Sequence, residues 1–362
     1  MGKWSVDASV GAAWTIPSAF YTDPAVFEEA KEAIFAKSWQ FISEVENVKV
    51  PTSVYPFTLL EGLLDEPLLF TRDRDDQIHC LSNVCTHRGN IVCEGAGCTN
   101  SLRCRYHGRK FDLNGRMTYM PEFDGVEGFP GESDNLPKVN FAQWRKWLFA
   151  SLDPALNLAE ILKPIDDRIG HLPMEEFVYA PERARDYLVK AHWALYVDNY
   201  LEGFHIPYIH PALNQTLNYG DYRTEFFPGG NVQIGVGSGA DECFVLPETS
   251  PDFGENIAAY YYWIYPNLML NFYPWGLSVN VVKPLGVDRT RVSFIPFVYD
   301  ESKISSGAGS ILDRVEREDE QIVELVQKGL RSRFYDRGRY SPMRENGVHQ
   351  FHQLIAASLE KQ

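Results

Sequence analysis

The stretch of residues 85–107 constrains the fold of this chain more than any other, because two cysteines and two histidines recur there in pairs. A Cys85-x-His87 pair is followed, after sixteen residues, by a Cys104-x-x-His107 pair. Each pair offers one thiolate and one imidazole, and both groups are common metal ligands. Glycines between and beside the pairs allow tight turns. We therefore expect the two pairs to hold one metal centre between two loops.

Two kinds of metal centre suit this mixed set of ligands. A two-iron, two-sulfide cluster can use two thiolates on one iron and two imidazoles on the other. A structural zinc ion also accepts two Cys and two His in a closed tetrahedral site. Zinc patterns usually pair Cys with Cys and His with His, so the mixed pairs favour the iron–sulfur cluster. Cys93 and Cys98 lie between the pairs, and we expect them to be ordinary buried thiols.

Composition limits the class of protein. With 362 residues and 44% hydrophobic content, the chain can form two domains and a large core. A net charge of −15 disfavours a nucleic-acid partner. Six cysteines, two of them in the predicted centre, do not make a disulfide framework and favour a reducing, cytoplasmic location. The N-terminus lacks a secretion signal and no apolar stretch approaches about 18 residues, so neither secretion nor a membrane span is expected.

Hydrophobic periodicity predicts an α+β chain. Residues 24–40 have helical spacing, with Asp23 as the cap and Pro24 at the first position. Short β-like runs from residue 48 to 84 predict a small all-β domain, which closes near a strand at 147–152. Further runs at 232–236, 260–265, 277–282 and 291–297 have short links and predict an antiparallel sheet. Helices are expected at 310–330 and near 348–359.

A second group of metal-binding side chains is predicted just after residues 186–204, which pass from a strand into a helix. Glu202 and His205 are three residues apart, which places them on one helical face. His210 is five residues beyond His205, and on a straight helix it would be turned away by roughly 140°. Pro207 removes a helical hydrogen bond and kinks or ends the helix. The two imidazoles could then converge.

Non-haem Fe(II) that binds oxygen takes two histidines and one carboxylate, so a carboxylate is expected elsewhere. The apolar residues of 311–326 define a helical stripe, from whose centre Asp319 lies roughly 37° away and Glu318 roughly 63° away. Glu316, Glu320 and Glu324 are further from it. A carboxylate on a buried face is costly unless it is paired or binds a metal. We expect Asp319 to be either a metal ligand or half of an inward salt bridge.

Together these motifs resemble a known family. The two Cys/His pairs, followed by Gly108 and Phe111-Asp112, resemble a Rieske iron–sulfur domain. This motif is followed by an acid-x-x-His-x₄-His motif at 202–210 and then by a late carboxylate. The same order is similar to that in the catalytic α subunit of Rieske non-haem iron oxygenases. The resemblance covers nearly the whole chain. It implies an all-β Rieske domain at 40–153 and, at 1–39 and 154–362, a helix-grip catalytic domain of helices on an antiparallel sheet.

The resemblance also implies a role for each matching residue. The [2Fe-2S] cluster would be bound by Cys85, His87, Cys104 and His107, and the mononuclear iron by His205, His210 and Asp319. Glu202 stands where the family places an acid that bridges the two centres, typically between neighbouring subunits of a homotrimer. Hydrogen bonds from this carboxylate to His107 and His205 would orient both rings.

Such a subunit would be the terminal oxygenase component of a larger system. It would use O2 and electrons from NAD(P)H, delivered by a separate flavin- or ferredoxin-type reductase. The chain shows no flavin or nicotinamide fingerprint of its own, which favours a separate reductase. The family supports dihydroxylation, monooxygenation and oxidative demethylation.

The substrate class is indicated by a closer resemblance. Glu at 202, where the family more often has Asp, and the segment NYLEGFHIPYIHP at 199–211 resemble the branch acting on choline- and carnitine-like quaternary amines. Candidate pocket residues on the predicted strands are Tyr261, Trp263, Asn271, Tyr273 and Trp275. Aromatic faces attract quaternary ammonium groups, although strands also carry aromatic residues as plain core.

Three alternatives remain open. The same iron site could dihydroxylate or monooxygenate an aromatic ring. The chain could also be a Rieske electron-transfer protein without oxygenase activity, or a zinc-stapled binding module. Counting the bound iron separates these classes, because an oxygenase holds one iron more than its cluster contains.

Overall fold

The computed structural model describes residues 3–211, 219–237, 243–305 and 312–360. The chain divides into two compact units, a smaller unit of Ala36–Ala155 and a larger unit of Met1–Phe35 with Leu156–Gln362. None of the helices in the described ranges combines the length and the apolar character needed to cross a membrane.

The smaller unit, described throughout, consists of short antiparallel strands. They are β1 (Gln40–Glu44), β2 (Ser53–Leu59), β3 (Glu66–Arg72), β4 (Ile78–Ser82), β5 (Gly97–Cys98), β6 (Leu102–Arg103), β7 (Lys110–Phe111), β8 (Met117–Tyr119), β9 (Asn140–Trp144) and β10 (Trp147–Ser151). They form three sheets in the orders β1-β10-β9, β4-β3-β2-β5 and β6-β7-β8. The small all-β domain expected from the short apolar runs is therefore confirmed.

The core of this unit reaches the loops that carry the Cys and His pairs. Leu69 of β3, Leu81 of β4 and Phe111 of β7 are fully buried in one cluster, which also contains Cys85 and Cys104. Alternate residues of a strand point to opposite faces, so each short strand can direct apolar side chains into this cluster. Because the two cysteines belong to the core, strand packing helps to hold both loops in place.

The larger unit combines helices with one antiparallel sheet. Its helices are α1 (Ala19–Thr22), α2 (Pro24–Ala30), α3 (Leu158–Ile169), α4 (Trp193–Tyr200), α5 (Ile206–Ile209), α6 (Leu312–Gly329) and α7 (Asn346–Glu360). Its strands are β11 (Val178–Tyr179), β12 (Arg185–Val189), β13 (Arg223–Phe227), β14 (Gly230–Val236), β15 (Ile257–Ile264), β16 (Leu268–Tyr273), β17 (Gly276–Gly286) and β18 (Arg289–Val298). The strand order is β11-β18-β17-β16-β15-β14-β13, and β12 also pairs with β18.

One face of this sheet carries α4. Gln233 of β14, Tyr261 of β15 and Asn271 of β16 are in register and form a row across three strands. The hydroxyl of Tyr200, at the end of α4, donates to Oδ1 of Asn271 (2.6 Å), and the Tyr200 carbonyl accepts from Nε2 of Gln233 (2.6 Å). Helix α4 is therefore fixed against this row, as the expected helix-grip architecture requires.

The N-terminal helix begins as predicted but ends earlier. Pro24 occupies its first turn, and the side chain of Asp23 accepts a hydrogen bond from the backbone N–H of Ala25 (2.9 Å). Helix α2 ends at Ala30, and a π-helical turn, Lys31–Phe35, follows it. The predicted extension to residue 40 is wrong, since Gln40 already begins β1.

Candidate functional site

Two loops of the smaller unit hold the Cys and His pairs in the same backbone conformation. The N–H of Gly89 donates to the carbonyl of Cys85 (3.0 Å), and the N–H of Gly108 donates to the carbonyl of Cys104 (3.0 Å). In each loop the cysteine N–H also donates to the carbonyl five residues ahead (2.8 and 2.9 Å). Both glycines have positive φ, 69° and 78°, which glycine adopts at little cost. The two loops are therefore equivalent turns.

In these two loops the two thiols lie together and the two imidazoles lie together. The buried thiols of Cys85 and Cys104 interact with each other, and the rings of His87 and His107 lie 4.8 Å apart between centroids. Nδ1 of His87 is buried without a hydrogen-bond partner. A zinc ion would gather four ligands around one point, whereas a Rieske cluster takes a thiolate pair at one iron and an imidazole pair at the other. The residues fit the [2Fe-2S] cluster.

A buried guanidinium supports the first loop. The side chain of Arg109 is only 2% exposed, and its Nη1 donates to Oγ1 of Thr86 (2.8 Å) and to Oδ1 of Asp134 (3.2 Å). The guanidinium also lies over the rings of Phe123 and Phe129, 5.6 and 5.5 Å from their centroids. A buried charge is costly unless it is paired. This network therefore fixes the loop, and the sequence patterns gave no sign of it.

The two remaining cysteines of the stretch are not the buried thiols that we predicted. Cys98 is exposed and Cys93 is half-buried. The reason is that Cys98 belongs to β5, a two-residue strand at the edge of its sheet, which pairs only with β2. No second layer covers Cys98 among the residues of this unit.

The second group of predicted ligands lies where α4 ends. Helix α4 ends at Tyr200 and α5 begins at Ile206, so the expectation that Glu202 and His205 share a helical face is wrong. Glu202 reaches the next helix differently. Its Oε2 accepts from the backbone N–H of Phe204 and of His205 (3.1 Å), and its Oε1 accepts from Nδ1 of His205 (2.8 Å). The free N–H groups at a helix start explain this conformation.

His205, His210 and Asp319 converge on one point. Their ligand atoms all lie within 4.8 Å of one another. Oδ1 of Asp319 is 3.0 Å from Nε2 of His210 and 3.5 Å from Nε2 of His205. The histidines cap the two ends of α5. Pro207 lies in the first turn of this short helix, where its missing N–H is tolerated, instead of kinking a longer one. Two imidazoles and one carboxylate fit non-haem Fe(II).

A carboxylate holds the far nitrogen of each histidine. Glu202 accepts from Nδ1 of His205 (2.8 Å), and Glu318 accepts from Nδ1 of His210 (2.8 Å). A proton on Nδ1 leaves the Nε2 lone pair directed at Asp319, an arrangement typical of metal-binding histidines. Burial disfavours charge on His210, but Asp319 and Glu318 outweigh it and raise the pKa of His210. The site thus favours positive charge on His210. The sequence patterns did not predict the role of Glu318.

The buried side of α6 differs from the predicted stripe. Leu325 and Val326, which helped to define that stripe, are 59% and 43% exposed, whereas Glu316 is 4% exposed. Asp319 is 13% exposed at its side chain. The prediction that Asp319 points inward most nearly is therefore wrong, because Glu316 is more buried. Hydrophobic periodicity cannot detect a buried face that includes polar residues.

A cavity of about 120 Å³ opens beside the converged group. Its aromatic lining consists of Tyr196, Tyr200, Tyr222, Tyr261, Tyr273 and Phe294. Of the predicted pocket residues, Tyr261, Asn271 and Tyr273 line this cavity. Trp263 instead packs against Phe351 of α7, with ring centroids 5.2 Å apart, and Trp275 stacks on Tyr273 at 5.2 Å. Neither tryptophan belongs to the described lining.

A Rieske non-haem iron oxygenase is an O2-dependent oxidoreductase that combines an iron–sulfur site with an open iron site beside a cavity. The residues of the two units fit these two sites. Comparison with family models agrees. Residues 38–130 match the Rieske [2Fe-2S] domain, and residues 176–361 match the ring hydroxylating alpha subunit (catalytic domain). The chain belongs to this family of ring-hydroxylating alpha subunits, which use O2 and reductase-derived electrons on small molecules.

Similar proteins include oxygenases named for quaternary amines. Chloroplastic choline monooxygenase of Arabidopsis thaliana is 28% identical, over 96% of this chain and 83% of the relative. The carnitine monooxygenase oxygenase subunit of Escherichia coli (strain K12) is 28% identical, over 95% and 93%. The structure of the quaternary ammonium Rieske monooxygenase CntA with L-carnitine has a TM-score of 0.76 at 25% identity, covering 97% of each chain. Naphthalene 1,2-dioxygenase from Rhodococcus sp. shares the fold, with a TM-score of 0.75 at 19% identity over 96% and 95%.

Proposed function

We propose that this chain is a terminal oxygenase that oxidises a quaternary ammonium compound, at an N-methyl group or at the adjacent carbon. The cavity carries the proposal, because Tyr200, Tyr222, Tyr261 and Tyr273 line it beside the converged group. Aromatic faces attract a cation that has no N–H to donate. The relatives named for choline and carnitine support the same substrate class.

In this proposal each metal centre is held by the residues that the sequence indicated. The [2Fe-2S] ligands are Cys85, His87, Cys104 and His107, and the mononuclear iron ligands are His205, His210 and Asp319. When bound, the two centres supply electron transfer and O2 activation. The chain's own contribution is positioning: Glu202 and Glu318 fix the histidine rings, and Nδ2 of Asn199 donates to Oδ1 of Asp319 (2.8 Å).

We further propose a homotrimer in which Glu202 bridges the two kinds of centre between subunits. Glu202 would accept a hydrogen bond from His107 of the partner subunit while it holds His205. Three features support this role: its side chain is 14% exposed, its two oxygens have lone pairs left, and it also borders a second cavity of about 250 Å³. The electron donor would be a separate flavin- or ferredoxin-type reductase that oxidises NAD(P)H.

The domain limits and the location belong to the same proposal. We assign the Rieske domain to residues 40–153 and the catalytic domain to residues 1–39 and 154–362. The compact unit Ala36–Ala155 supports this division. A reducing, cytoplasmic location is supported by the six cysteines, none of which forms a disulfide.

The test is substrate-dependent consumption of NADH and O2 by the purified chain with a reductase, followed by product analysis. Formaldehyde would show demethylation, and an aldehyde from choline would show monooxygenation. A cis-diol from an aromatic substrate, with no turnover of quaternary amines, would refute the substrate class.

Iron counting tests whether the chain is an oxygenase at all. The wild-type chain should hold one iron more than its cluster contains, and His205→Ala should lose that iron while the visible spectrum of the cluster is unchanged. If both proteins hold cluster iron alone, the chain transfers electrons without oxygenating a substrate.

A further inference from the structure

Glu316 belongs to neither metal group, yet it lines the cavity. It lies on α6, one turn before Asp319, and is 4% exposed. Its Oε2 accepts a hydrogen bond of 2.6 Å from the hydroxyl of Tyr196, whereas its Oε1 is buried without a partner. A buried carboxylate oxygen that lacks a partner destabilises the fold. The unpaired oxygen therefore points to a ligand that completes this site.

Of the three carboxylates that line the cavity, Glu202 and Asp319 face histidines, whereas Glu316 forms no ion pair with a described residue. The described lining contains neither Lys nor Arg. The internal stretches outside the described ranges, 212–218, 238–242 and 306–311, also contain no Lys or Arg in their sequence. These stretches therefore cannot contribute a Lys or Arg counter-charge.

Burial disfavours the charged form of Glu316. Desolvation raises the pKa of Glu316 well above its ordinary value, the hydrogen bond from Tyr196 lowers it, and the charges of Asp319, Glu320 and Asp313 raise it again. An ammonium group beside Glu316 would offset these raising effects. The cavity is therefore matched to a positively charged ligand.

We propose that Glu316 is the counter-charge for the ammonium group of the substrate, and that this substrate is a cation without a carboxylate. The inference rests on the proposed function, because it specifies which quaternary ammonium compounds the same cavity accepts. A quaternary nitrogen has no N–H, so its recognition depends on Coulomb attraction and on aromatic faces. Glu316 supplies the first, and the tyrosines of the lining supply the second.

The position of Glu316 also explains which carbon is oxidised. Residues three apart on a helix are neighbours, with Cβ atoms about 5–6 Å apart. An ammonium group held at Glu316 therefore lies beside Asp319 and the two histidines. Its N-methyl groups and the adjacent carbon become the substrate carbons nearest to the iron ligands.

A carboxylate on the substrate would enter an unfavourable environment. Away from the iron ligands it would be desolvated near Glu316, with no described Lys or Arg in the lining to pair with it. Burying an unpaired anion is expensive, and like charges add to the cost. We therefore expect a choline-type cation to bind better than a carnitine-type zwitterion.

The first experiment compares ligands on the unmodified protein. Isothermal titration calorimetry on the oxidised holoenzyme would measure choline, L-carnitine and 3,3-dimethylbutan-1-ol, the neutral carbon isostere of choline. Coulomb attraction between the ammonium group and one partly desolvated carboxylate corresponds to a factor of about ten or more in the dissociation constant. Choline should bind at least about tenfold more tightly than either other ligand.

The second experiment assigns the charge to Glu316. Glu316→Gln keeps the shape of the side chain and should weaken choline binding at least about tenfold, with no change for the isostere. Tyr196→Phe, which removes the hydrogen bond that favours the ionised carboxylate, should weaken choline in the same direction. Glu324→Gln, on the same helix but outside the described lining, is the matched control and should change neither ligand.

The outcomes separate this inference from the proposed function. If choline is oxidised but Glu316→Gln and Tyr196→Phe keep the full preference for choline over the isostere, Glu316 is not the counter-charge. Tighter binding of L-carnitine than of choline would overturn the carboxylate-free substrate. Both results leave a quaternary ammonium oxygenase intact. If the holoenzyme neither binds nor oxidises any quaternary amine, the proposed function fails and the inference fails with it.

Discussion

A single methyl group at Gly203 tests how tightly the metal-binding segment packs on the sheet. Gly203 is buried and follows Glu202 in the break between α4 and α5. A Cβ at this position would lie 2.9 and 3.1 Å from two ring carbons of Tyr222 and 3.4 Å from Cδ1 of Ile206. Carbon atoms in contact prefer about 3.5–4.0 Å, so Gly203→Ala should displace the ring or the segment by roughly 0.5–1 Å.

The cost of this displacement can be worked out from the contacts. Overpacking of this kind costs about 1–3 kcal/mol, and the stiffer unfolded chain of the alanine variant returns about 0.4–1 kcal/mol. The net loss is therefore at most about 2.6 kcal/mol. Tyr222 cannot swing away freely, because its hydroxyl donates to Oε1 of Gln233 (3.2 Å). The segment with Glu202 and His205 must therefore move, and turnover should fall about tenfold to hundredfold.

Three measurements check this prediction: thermal unfolding, bound iron and turnover with a reductase. The unfolding temperature should fall by up to about 10 °C and the non-cluster iron should decrease, while the cluster spectrum is unchanged. Gly329→Ala is the control, because a Cβ at the end of α6 meets nothing within 4 Å. Unchanged iron and turnover in Gly203→Ala, or an equal loss in the control, would refute this account of the segment.

Three further perturbations follow from the contacts. Glu202→Gln should keep both metal centres but slow electron transfer between them, because an amide cannot accept from two imidazoles as a carboxylate does; an unchanged rate of single-turnover product formation would contradict this. Arg109→Met should lower the stability of the smaller unit by about 1.5–3 kcal/mol, seen as loss of cluster absorbance at lower temperature, whereas the 81%-exposed Arg105 should tolerate the same change. An Fe(II) chelator should remove the iron held at Asp319 and stop turnover while the cluster colour persists, and added Fe(II) should restore it; bleaching at the same rate would argue against two distinct sites.

The fold was predictable where it depends on local patterns. The alternation of short apolar runs indicated the smaller unit and the antiparallel sheet of the larger one. The helix start at Asp23 and Pro24 followed from capping chemistry between adjacent residues. The end of α4 at Tyr200 could not be predicted in this way, because Glu202 stabilises the break between α4 and α5 by contacts that helical periodicity does not describe.

The candidate pocket shows the limit of reasoning from one strand at a time. Tyr261 and Trp263 have the same parity on β15, so alternation alone cannot separate them. Tyr261 lines the cavity, whereas Trp263 packs under Phe351 of α7. The position of the helix above each residue decides which ring can meet a substrate.

The sequence by itself determined the chemistry that short spacings encode. A glycine stands four residues after Cys85 and four residues after Cys104, and each glycine fixes one of two equivalent turns. The same few residues therefore specify both the ligands and the loop conformation. Only the tertiary structure placed Glu318 against His210, 108 positions away, and turned Glu316 into the cavity. The physical reason is that burial of a carboxylate depends on what packs against its helix, and a periodicity that counts apolar residues carries no information about that neighbour.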